Sequence, residues 1–268
     1  MCETCGCNVT HGNRHLAYAK NELGVSAVTV LKNLLSENDS QAAHNRAHFD
    51  QQKIFVVNLM SAPGSGKTAL LEATIDALRD EFRLAVIEGD LETENDAERI
   101  RKKGVPAYQI TTGSACHLDA HMIHTALHQM NLTDVDIVFI ENVGNLVCPA
   151  SFDLGQHANV ALLSVTEGDD KPAKYPVMFR AADAVVLSKI DLLPVLDDFK
   201  PVLAEYALRQ LASSAPLISL SAKTKAGLPA WLEWLREQRA AQGERVRRGE
   251  IRRPRIQGDG VRFHAASV

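Results

Sequence analysis

The sequence has no apolar run near the roughly 18–20 residues that a membrane-spanning helix needs. Its first eight residues (MCETCGCN) carry neither the positive charge nor the apolar stretch of a secretory signal. An excess of positive charge is also lacking, because the formal net charge is −4, which argues against broad nucleic-acid binding. We therefore expect a cytoplasmic protein that binds no membrane and no nucleic acid.

Cysteine is scarce, with five residues in 268, yet three of the five lie within the first seven positions. An odd, clustered count in a reducing compartment favours metal ligation over disulfides. Cys2, Cys5 and Cys7 present three thiolates on a short segment, which suits a soft metal ion. If Met1 is removed, the α-amine of Cys2 adds a fourth ligand, and that set favours square-planar Ni²⁺ over tetrahedral Zn²⁺. The alternative is that these are incidental terminal cysteines.

Apolar residues fall into seven short segments rich in Val, Ile and Leu, most of them separated by helical patterns. Near-continuous apolar strands are typical of parallel strands buried on both faces. The alternation predicts a doubly wound, mostly parallel α/β sheet. The predicted strands are Ile54–Leu59, Leu84–Glu88, Ala107–Thr111, Ile137–Glu141, Val160–Val165, Ala184–Leu187 and Leu217–Leu220.

The chain divides into four regions. We predict a Cys-rich metal-binding segment over 1–15, a helical lead-in over 16–52, the α/β domain over 53–242 and a basic flexible tail over 243–268. The tail carries arginines interspersed with Gly and Pro and shows no helical period. It is either a solvated flexible segment or an electrostatic docking arm.

The first predicted strand leads into SAPGSGKT, residues Ser61–Thr68, and then into a helical run. This is the phosphate-binding pattern G-x-x-x-x-G-K-S/T with Ser61 in place of the first glycine. Gly64 and Gly66 allow backbone N–H groups to turn toward phosphates, and the helix N-terminus adds its positive dipole end.

Two side chains of this loop carry chemistry. Lys67 can reach the β- and γ-phosphate oxygens, and the Thr68 hydroxyl can ligate Mg²⁺. The alternative is a glycine-rich turn that binds nothing. The strand, loop and helix occur in the order that a P-loop requires, so we predict nucleotide contacts from Gly64, Ser65, Gly66, Lys67, Thr68 and Ala69.

Two later loops indicate guanine rather than adenine. The Asp191 carboxylate, in Ser188–Asp191, can accept hydrogen bonds from the N1–H and N2–H₂ groups of guanine, and the Lys189 stem can lie along the base. GTPases usually have Asn-Lys-x-Asp here, so Ser188 departs from the pattern. One strand later, Ser221, Ala222 and Lys223 resemble the second guanine loop.

Carboxylates at strand ends complete the predicted nucleotide site. Asp90 follows the second predicted strand and could hold Mg²⁺ or orient the attacking water, while Glu141 ends the fourth and takes the Walker-B position. Gly144 could offer its N–H to the γ-phosphate. The alternative is that these carboxylates are ordinary capping or surface residues. We assign catalysis to Lys67, Asp90 and Glu141.

A second candidate metal site lies on the same side of the sheet. Cys116 and His117 follow the third strand, and Cys148 lies beyond the fourth, so two thiolates and an imidazole can converge. Such ligands suit Zn²⁺ or Ni²⁺ and not Mg²⁺. From the residues alone, Cys148 is equally well a small buried hydrophobe.

Histidines also recur at spacings of 4, 3 and 4, which places them on one face of a helix. Only the first of them has a cysteine neighbour. For the other three we favour a solvated helical face. The series is His117, His121, His124 and His128.

Taken together, the motifs resemble the HypB family of hydrogenase nickel-incorporation GTPases, within the metallochaperone P-loop GTPases. The resemblance covers nearly the whole chain to about residue 240. It departs from the family in the basic tail and in lacking the histidine-rich insert of some members, so we expect no nickel-storage role. Besides the N-terminal cysteines, the matching segments are Asn45–Phe49, Ser61–Thr68, Gly89-Asp90, Asp96-Ala97, Arg99-Ile100, Cys116–Ala120, Glu141–Pro149 and Thr166–Pro172.

The resemblance implies slow hydrolysis of GTP to GDP and phosphate with Mg²⁺, GTP-dependent homodimerisation, and Ni²⁺ and Zn²⁺ binding during NiFe hydrogenase maturation. It implies two metal sites, one at the N-terminal cysteines and one at Cys116, His117 and Cys148. The implied partners are a small zinc-containing nickel chaperone of the HypA type and the hydrogenase large-subunit precursor. The alternatives are a P-loop small-molecule kinase, which comparing GTP with ATP binding distinguishes, and a metal store without GTP turnover.

Overall fold

The computed structural model describes residues 27–90, 94–113, 115–211 and 213–251. A seven-stranded sheet runs through this part of the chain in the order β3-β2-β4-β1-β5-β6-β7, and every strand pair is parallel. The strands are β1 Phe55–Ser61, β2 Leu84–Asp90, β3 Ala107–Thr111, β4 Ile137–Glu141, β5 Ala158–Ser164, β6 Ala184–Ser188 and β7 Leu217–Ser219.

Helices cover both faces of the sheet, and two 3₁₀ segments, Cys148–Ser151 and Ile190–Val195, follow β4 and β6. Parallel strands need such crossovers, because the chain must return to the start of the sheet each time. The helices are α1 Ala27–Gln51, α2 Lys67–Leu78, α3 Asn95–Lys102, α4 Ala120–Gln129, α5 Lys171–Lys174, α6 Pro176–Ala181, α7 Pro201–Gln210 and α8 Leu228–Arg248.

Alternate residues of each central strand serve two different cores. In β1, Phe55 and Val57 pack beneath α2 and α8, whereas Val56 packs on the opposite face beneath α1 and α4. The largest fully buried side chain is Trp231 of α8, whose indole N–H donates to the buried Thr74 hydroxyl of α2 at 2.9 Å. Both faces of β1 are therefore buried, which is why five of its seven residues are apolar.

All seven predicted strands are present, and the sheet is wholly parallel. The predicted lead-in contains α1. The predicted tail is wrong at its start, because α8 continues through 243–248 to Arg248, where Glu244 and Arg247 pair at 2.5 Å. Intervening arginines are good helix formers, so the charge run did not end the helix. Residues 1–26, with the predicted cysteine-rich segment, and 252–268 lie outside the described residues.

Among the described residues, no helix combines the length and the apolar character that crossing a membrane would require.

Candidate functional site

The loop between β1 and α2 has the backbone of a phosphate cradle. Gly64 and Gly66 adopt φ of 74° and 96°, a region that side-chain-bearing residues rarely enter. Gly66 is the N-cap of the 12-residue helix α2, so the unpaired N–H groups of its first turn and the positive end of its dipole face the loop. This end of a helix favours phosphate oxygens.

Lys67 is held inside the loop by Ser61. Its ammonium donates to the Ser61 hydroxyl at 3.0 Å, and that hydroxyl donates to the Ala62 carbonyl at 2.6 Å. The Lys67 side chain is buried and lines the same pocket as Gly64 and Gly66. The serine at the first glycine position thus gives the lysine a hydrogen-bond acceptor.

Carboxylates converge beside Thr68. Its hydroxyl donates to Glu141 at 2.9 Å, and oxygens of Glu88, Asp96 and Glu141 lie within 4.8 Å of one another. One oxygen of Glu88 and one of Glu141 are buried without a hydrogen-bond partner. Because Glu141 is 3% exposed, the alternative that it is a surface carboxylate is wrong.

The electrostatics of this cluster favour a cation. Burial first, and then repulsion from Glu141, raises the pKa of Glu88. Burial likewise raises the pKa of Glu141, although the Lys67 charge opposes the shift. Hard oxygen ligands are what Mg²⁺ prefers, and two orphaned buried oxygens beside the Thr68 hydroxyl fit such an ion. The donor set is therefore suited to Mg²⁺.

Asp90 lines the pocket but does not belong to this carboxylate cluster. The sequence analysis missed Glu88 and Asp96 as the carboxylates nearest Glu141. Their signal was a charged residue at the end of an apolar strand and another near the start of the following helix. It also missed Glu167, which accepts the Ser65 hydroxyl at 2.5 Å and so braces the phosphate loop.

The predicted base loops adjoin the phosphate loop. The Ser188 hydroxyl donates to the Ser65 carbonyl at 2.7 Å, and Lys189 donates to the Gly64 carbonyl at 2.6 Å. Ser188 therefore braces the phosphate loop although it departs from the usual asparagine. Asp191 is half-buried in the 3₁₀ segment that follows.

The second base loop lies beside the first. The Ile190 N–H donates to the Leu220 carbonyl at 3.3 Å, which joins the ends of β6 and β7. Ser221 is buried, and its hydroxyl accepts the Thr224 N–H at 3.1 Å, which shapes the turn through Ala222 and Lys223. Both predicted base loops thus occur at one edge of the sheet.

Cys116, His117 and Cys148 converge as predicted. The Cys116 and Cys148 sulfurs are 3.3 Å apart, longer than the roughly 2.05 Å of a disulfide. Cys116 Sγ is 3.6 Å from His117 Nδ1, and the three ligand atoms lie within 4.8 Å of one another. Two sulfurs and one nitrogen suit Zn²⁺ or Ni²⁺. The reading of Cys148 as only a buried hydrophobe is not favoured.

His117 is prepared to act as a ligand. Its ring stacks on Phe152 with centroids 4.0 Å apart, which fixes its orientation. Burial lowers the pKa of His117, although Asp119 opposes the shift. A neutral imidazole keeps the lone pair that a metal ion requires. His117 precedes α4, which begins at Ala120, so it is not on the helical face that carries the later histidines.

One short segment, 141–148, joins the two sites. Asn142 accepts the Leu118 N–H at 3.2 Å, and the Asn145 amide donates to the Cys116 carbonyl at 3.2 Å. Between them, Gly144 lies so close to the phosphate loop that an added Cβ would be 2.9 Å from Pro63 Cα. The segment therefore begins at a carboxylate of the predicted Mg²⁺ site, contacts the phosphate loop and ends at a thiol of the metal site.

Comparison with known proteins agrees with this geometry. Residues 55–218 match the family model described as the CobW/HypB/UreG nucleotide-binding domain. The hydrogenase maturation factor HypB of Azotobacter chroococcum mcd 1 is 52% identical over 80% of this chain and 70% of its own length. That of Escherichia coli strain K12 is 52% identical over 78% of this chain and 71% of its own.

Two solved structures are similar over most of the described part of the chain. HypB from Helicobacter pylori in complex with nickel is 45% identical, with a TM-score of 0.73 over 76% of this chain and 96% of its own. HypB from Archaeoglobus fulgidus is 39% identical, with a TM-score of 0.72 over 76% of this chain and 100% of its own. With the phosphate loop, the carboxylate cluster and the thiol–imidazole triad, these matches show that the chain belongs to the HypB family of hydrogenase maturation factors, within the CobW/HypB/UreG class of P-loop nucleotide-binding proteins.

Proposed function

We propose that this chain is a GTP-hydrolysing nickel metallochaperone that assists nickel insertion during NiFe hydrogenase maturation. The observation that carries the proposal is the segment 141–148, which contributes to the nucleotide pocket at one end and to the Cys116–His117–Cys148 triad at the other. The Helicobacter pylori relative, which was crystallised with nickel, supports nickel as the cargo.

The nucleotide chemistry follows from the residues of the pocket. The backbone of the phosphate loop and Lys67 would bind the β- and γ-phosphates, and Thr68 with the nearby carboxylates would hold Mg²⁺, which supplies charge neutralisation at the transferring phosphoryl group. Asp90 is proposed to orient the attacking water. Asp191 would select guanine by accepting hydrogen bonds from the N1–H and N2–H₂ groups of the base, with Ser221, Ala222 and Lys223 closing over it.

GTP hydrolysis would affect the bound metal ion through a short series of contacts. Gly144 would offer its N–H to the γ-phosphate, and its close approach to Pro63 of the phosphate loop supports this role. Loss of that phosphate would release Gly144 and shift Asn145, which holds the Cys116 carbonyl. The separation of the two thiols would change with it, and metal affinity would change in turn. Thermodynamic linkage then requires that bound metal change the affinity for GTP by the same factor.

The triad supplies three ligands, whereas Zn²⁺ and Ni²⁺ take four or more, so one position is open to another donor. A second copy of the chain is proposed to approach this site when GTP is bound, so homodimerisation would depend on nucleotide. A small zinc-containing chaperone of the HypA type and the hydrogenase large-subunit precursor are the proposed donor and acceptor. Cys2, Cys5 and Cys7 are proposed as the second nickel site.

The test is a titration of purified protein with nickel and zinc, with and without GTP, read by metal analysis, oligomer size and GTP turnover. The Lys67→Ala variant should lose GTP binding and turnover and keep metal at the N-terminal cysteines. Lys102→Ala, on the exposed face of α3, is the matched control and should behave as wild type. The Cys148→Ala variant should weaken the domain site while the fold stays intact.

Other outcomes would favour other functions. Stronger binding of ATP than of GTP would support a small-molecule kinase. Metal binding without GTP turnover would support a store. If GTP leaves metal affinity and oligomer size unchanged in the wild type, the coupling is absent and the metallochaperone proposal fails.

A further inference from the structure

A second group of metal-ligating side chains lies outside the proposed metal triad, on the surface where α1 packs against α4. Five histidines contribute to it. Three lie on α4, where the sequence predicted a solvated face, and two lie on α1, whose pairing with α4 the sequence did not predict. We call this group the histidine cluster: His44, His48, His121, His124 and His128.

The centre of the cluster is a pair on consecutive turns of α4. His124 Nε2 and His128 Nε2 are 3.1 Å apart, and the ring centroids are 4.5 Å apart. The His44 ring, reaching across from α1, has its centroid 5.3 Å from that of His124. His44 and His121 also line a surface depression together with Glu37. The Nε2 atoms of His124 and His128 thus face each other on the surface, with the His44 ring of α1 beside them.

These separations match those of imidazoles bound to one ion. With metal–nitrogen bonds of about 2.05 Å, two ligand nitrogens are about 2.9 Å apart at a right angle and about 3.3 Å apart at the tetrahedral angle. The 3.1 Å between His124 and His128 lies between these limits. For ring centroids the corresponding separations are about 4.5 Å and about 5.2 Å. The centroids of the His124–His128 pair, 4.5 Å apart, agree with the first of these values.

The electrostatics agree with the geometry. Burial, followed by repulsion from the neighbouring histidines, lowers the pKa of His124. A neutral imidazole is the form that binds borderline metal ions.

We propose that the histidine cluster contains a third metal site, which binds a divalent ion of the Zn²⁺ or Ni²⁺ class through His124 and His128, with His44, His121 and Glu37 at its rim. It is separate from the proposed triad, because none of its ligands is shared. It lies on the helix that begins three residues after His117. Its nitrogen ligands would hold the ion less tightly than the thiolates do, so it would fill last.

The first test compares nickel bound at saturation by the full chain and by the double variant His124→Asn/His128→Asn. The variant should bind about one equivalent less, and the thiolate-to-nickel absorption should not change. GTP turnover should also be unchanged, so this outcome is independent of the proposed function. Gln129→Ala, at the next exposed position of α4, is the matched control and should retain every equivalent.

The second test needs no variant. In histidine-¹⁵N-labelled protein titrated with zinc, the Nε2 signals of His124 and His128 should shift together after the thiol sites are filled. Equal nickel stoichiometry in the wild type and the double variant would overturn the proposal. So would unchanged His124 and His128 signals at a several-fold excess of zinc, because the pair would then be only a hydrogen-bonded contact between imidazoles.

Discussion

The Gly144→Ala substitution tests the proposed link between the nucleotide and metal sites with a single methyl group. The added Cβ would lie 2.9 Å from Pro63 Cα and 3.0 Å from Pro63 N, where ordinary contacts are 3.4–4 Å. Both atoms belong to the backbone of the phosphate loop, so they cannot move aside as a flexible side chain would. Either the segment 141–148 or the phosphate loop must shift by several tenths of an ångström.

The size of the effect follows from the cost of overpacking, which is typically about 1–3 kcal/mol. If that cost falls on the state in which the segment contacts the phosphate loop, GTP affinity should fall by about 5-fold to about 150-fold, since about 1.4 kcal/mol is tenfold. The change in metal affinity that GTP produces in the wild type should shrink by the same factor, because the coupling is reciprocal. Metal affinity without nucleotide should change less.

The assay measures the dissociation constant of a fluorescent GTP analogue and, separately, zinc affinity with and without GTP. Gly243→Ala is the matched control, because an added Cβ there meets nothing within 4 Å and the residue lies within α8. It should stabilise the helix slightly and leave both affinities unchanged. If folded Gly144→Ala protein binds GTP within about twofold of wild type and its zinc affinity still responds to GTP, the segment is not the link.

Three further substitutions give separate predictions. Burial and the Glu141 charge raise the pKa of Glu88 to about 11. The stability that its protonated form contributes is therefore complete below about pH 4.5 and is lost as the pH rises toward about 11. Glu88→Gln should raise the melting temperature of the nucleotide-free protein more at pH 8 than at pH 5, in calorimetry, while weakening Mg²⁺-dependent GTP binding. Ser188→Ala removes the hydroxyl group that donates to the Ser65 carbonyl. GTP affinity should fall by about 2-fold to about 12-fold in a stopped-flow titration, which corresponds to the loss of one neutral hydrogen bond. An unchanged affinity would mean that this bond is not maintained in the bound state. Asp191→Asn should reduce the preference for GTP over ATP by at least about tenfold in competition binding, because the amide presents a donor where guanine also has one; a retained preference would assign base selection to other residues.

The sheet was predictable because its strands are buried on both faces. Runs such as Ile137–Glu141 have no polar position until the last residue, and a parallel strand leaves that pattern in the sequence. Strand ends were less predictable. β1 continues to Ser61, past the predicted end at Leu59, and β5 begins at Ala158, before the predicted start at Val160, because strand pairing continues through polar residues such as Ser61 and Asn159 that the apolar pattern leaves out.

The converging thiols were predictable for a related reason: the carboxyl ends of parallel strands all lie at one edge of the sheet, and only β2 separates β3 from β4. Cys116 follows β3 and Cys148 follows β4, and the loops that carry them meet at that edge. The sequence could not assign roles to Glu88 and Asp96, because those roles depend on burial and on the distance to Glu141 in the folded chain. Glu88 is the fifth residue of β2, and only the structure shows that its carboxyl group is buried opposite Glu141.

The pairing of α1 with α4 lay beyond the sequence for another reason. The spacing of His121, His124 and His128 fixes one helical face, but it does not say what packs beside that face. Asn45 of α1, which donates to the Ala120 carbonyl at 2.8 Å, joins the two helices over 75 residues of sequence. Local spacing in the sequence cannot predict such a long-range contact.

The bond between Lys67 and Ser61 has a consequence for exchange of the nucleotide. An incoming triphosphate must replace Ser61 as the hydrogen-bond partner of the Lys67 ammonium group. Part of the binding energy gained by the phosphates is therefore offset by the loss of this internal hydrogen bond. Departure of the product is assisted by the same bond re-forming. A glycine at position 61 would offer no such substitute, and GDP would then leave more slowly. We therefore expect release of GDP to be faster with serine than with glycine at position 61.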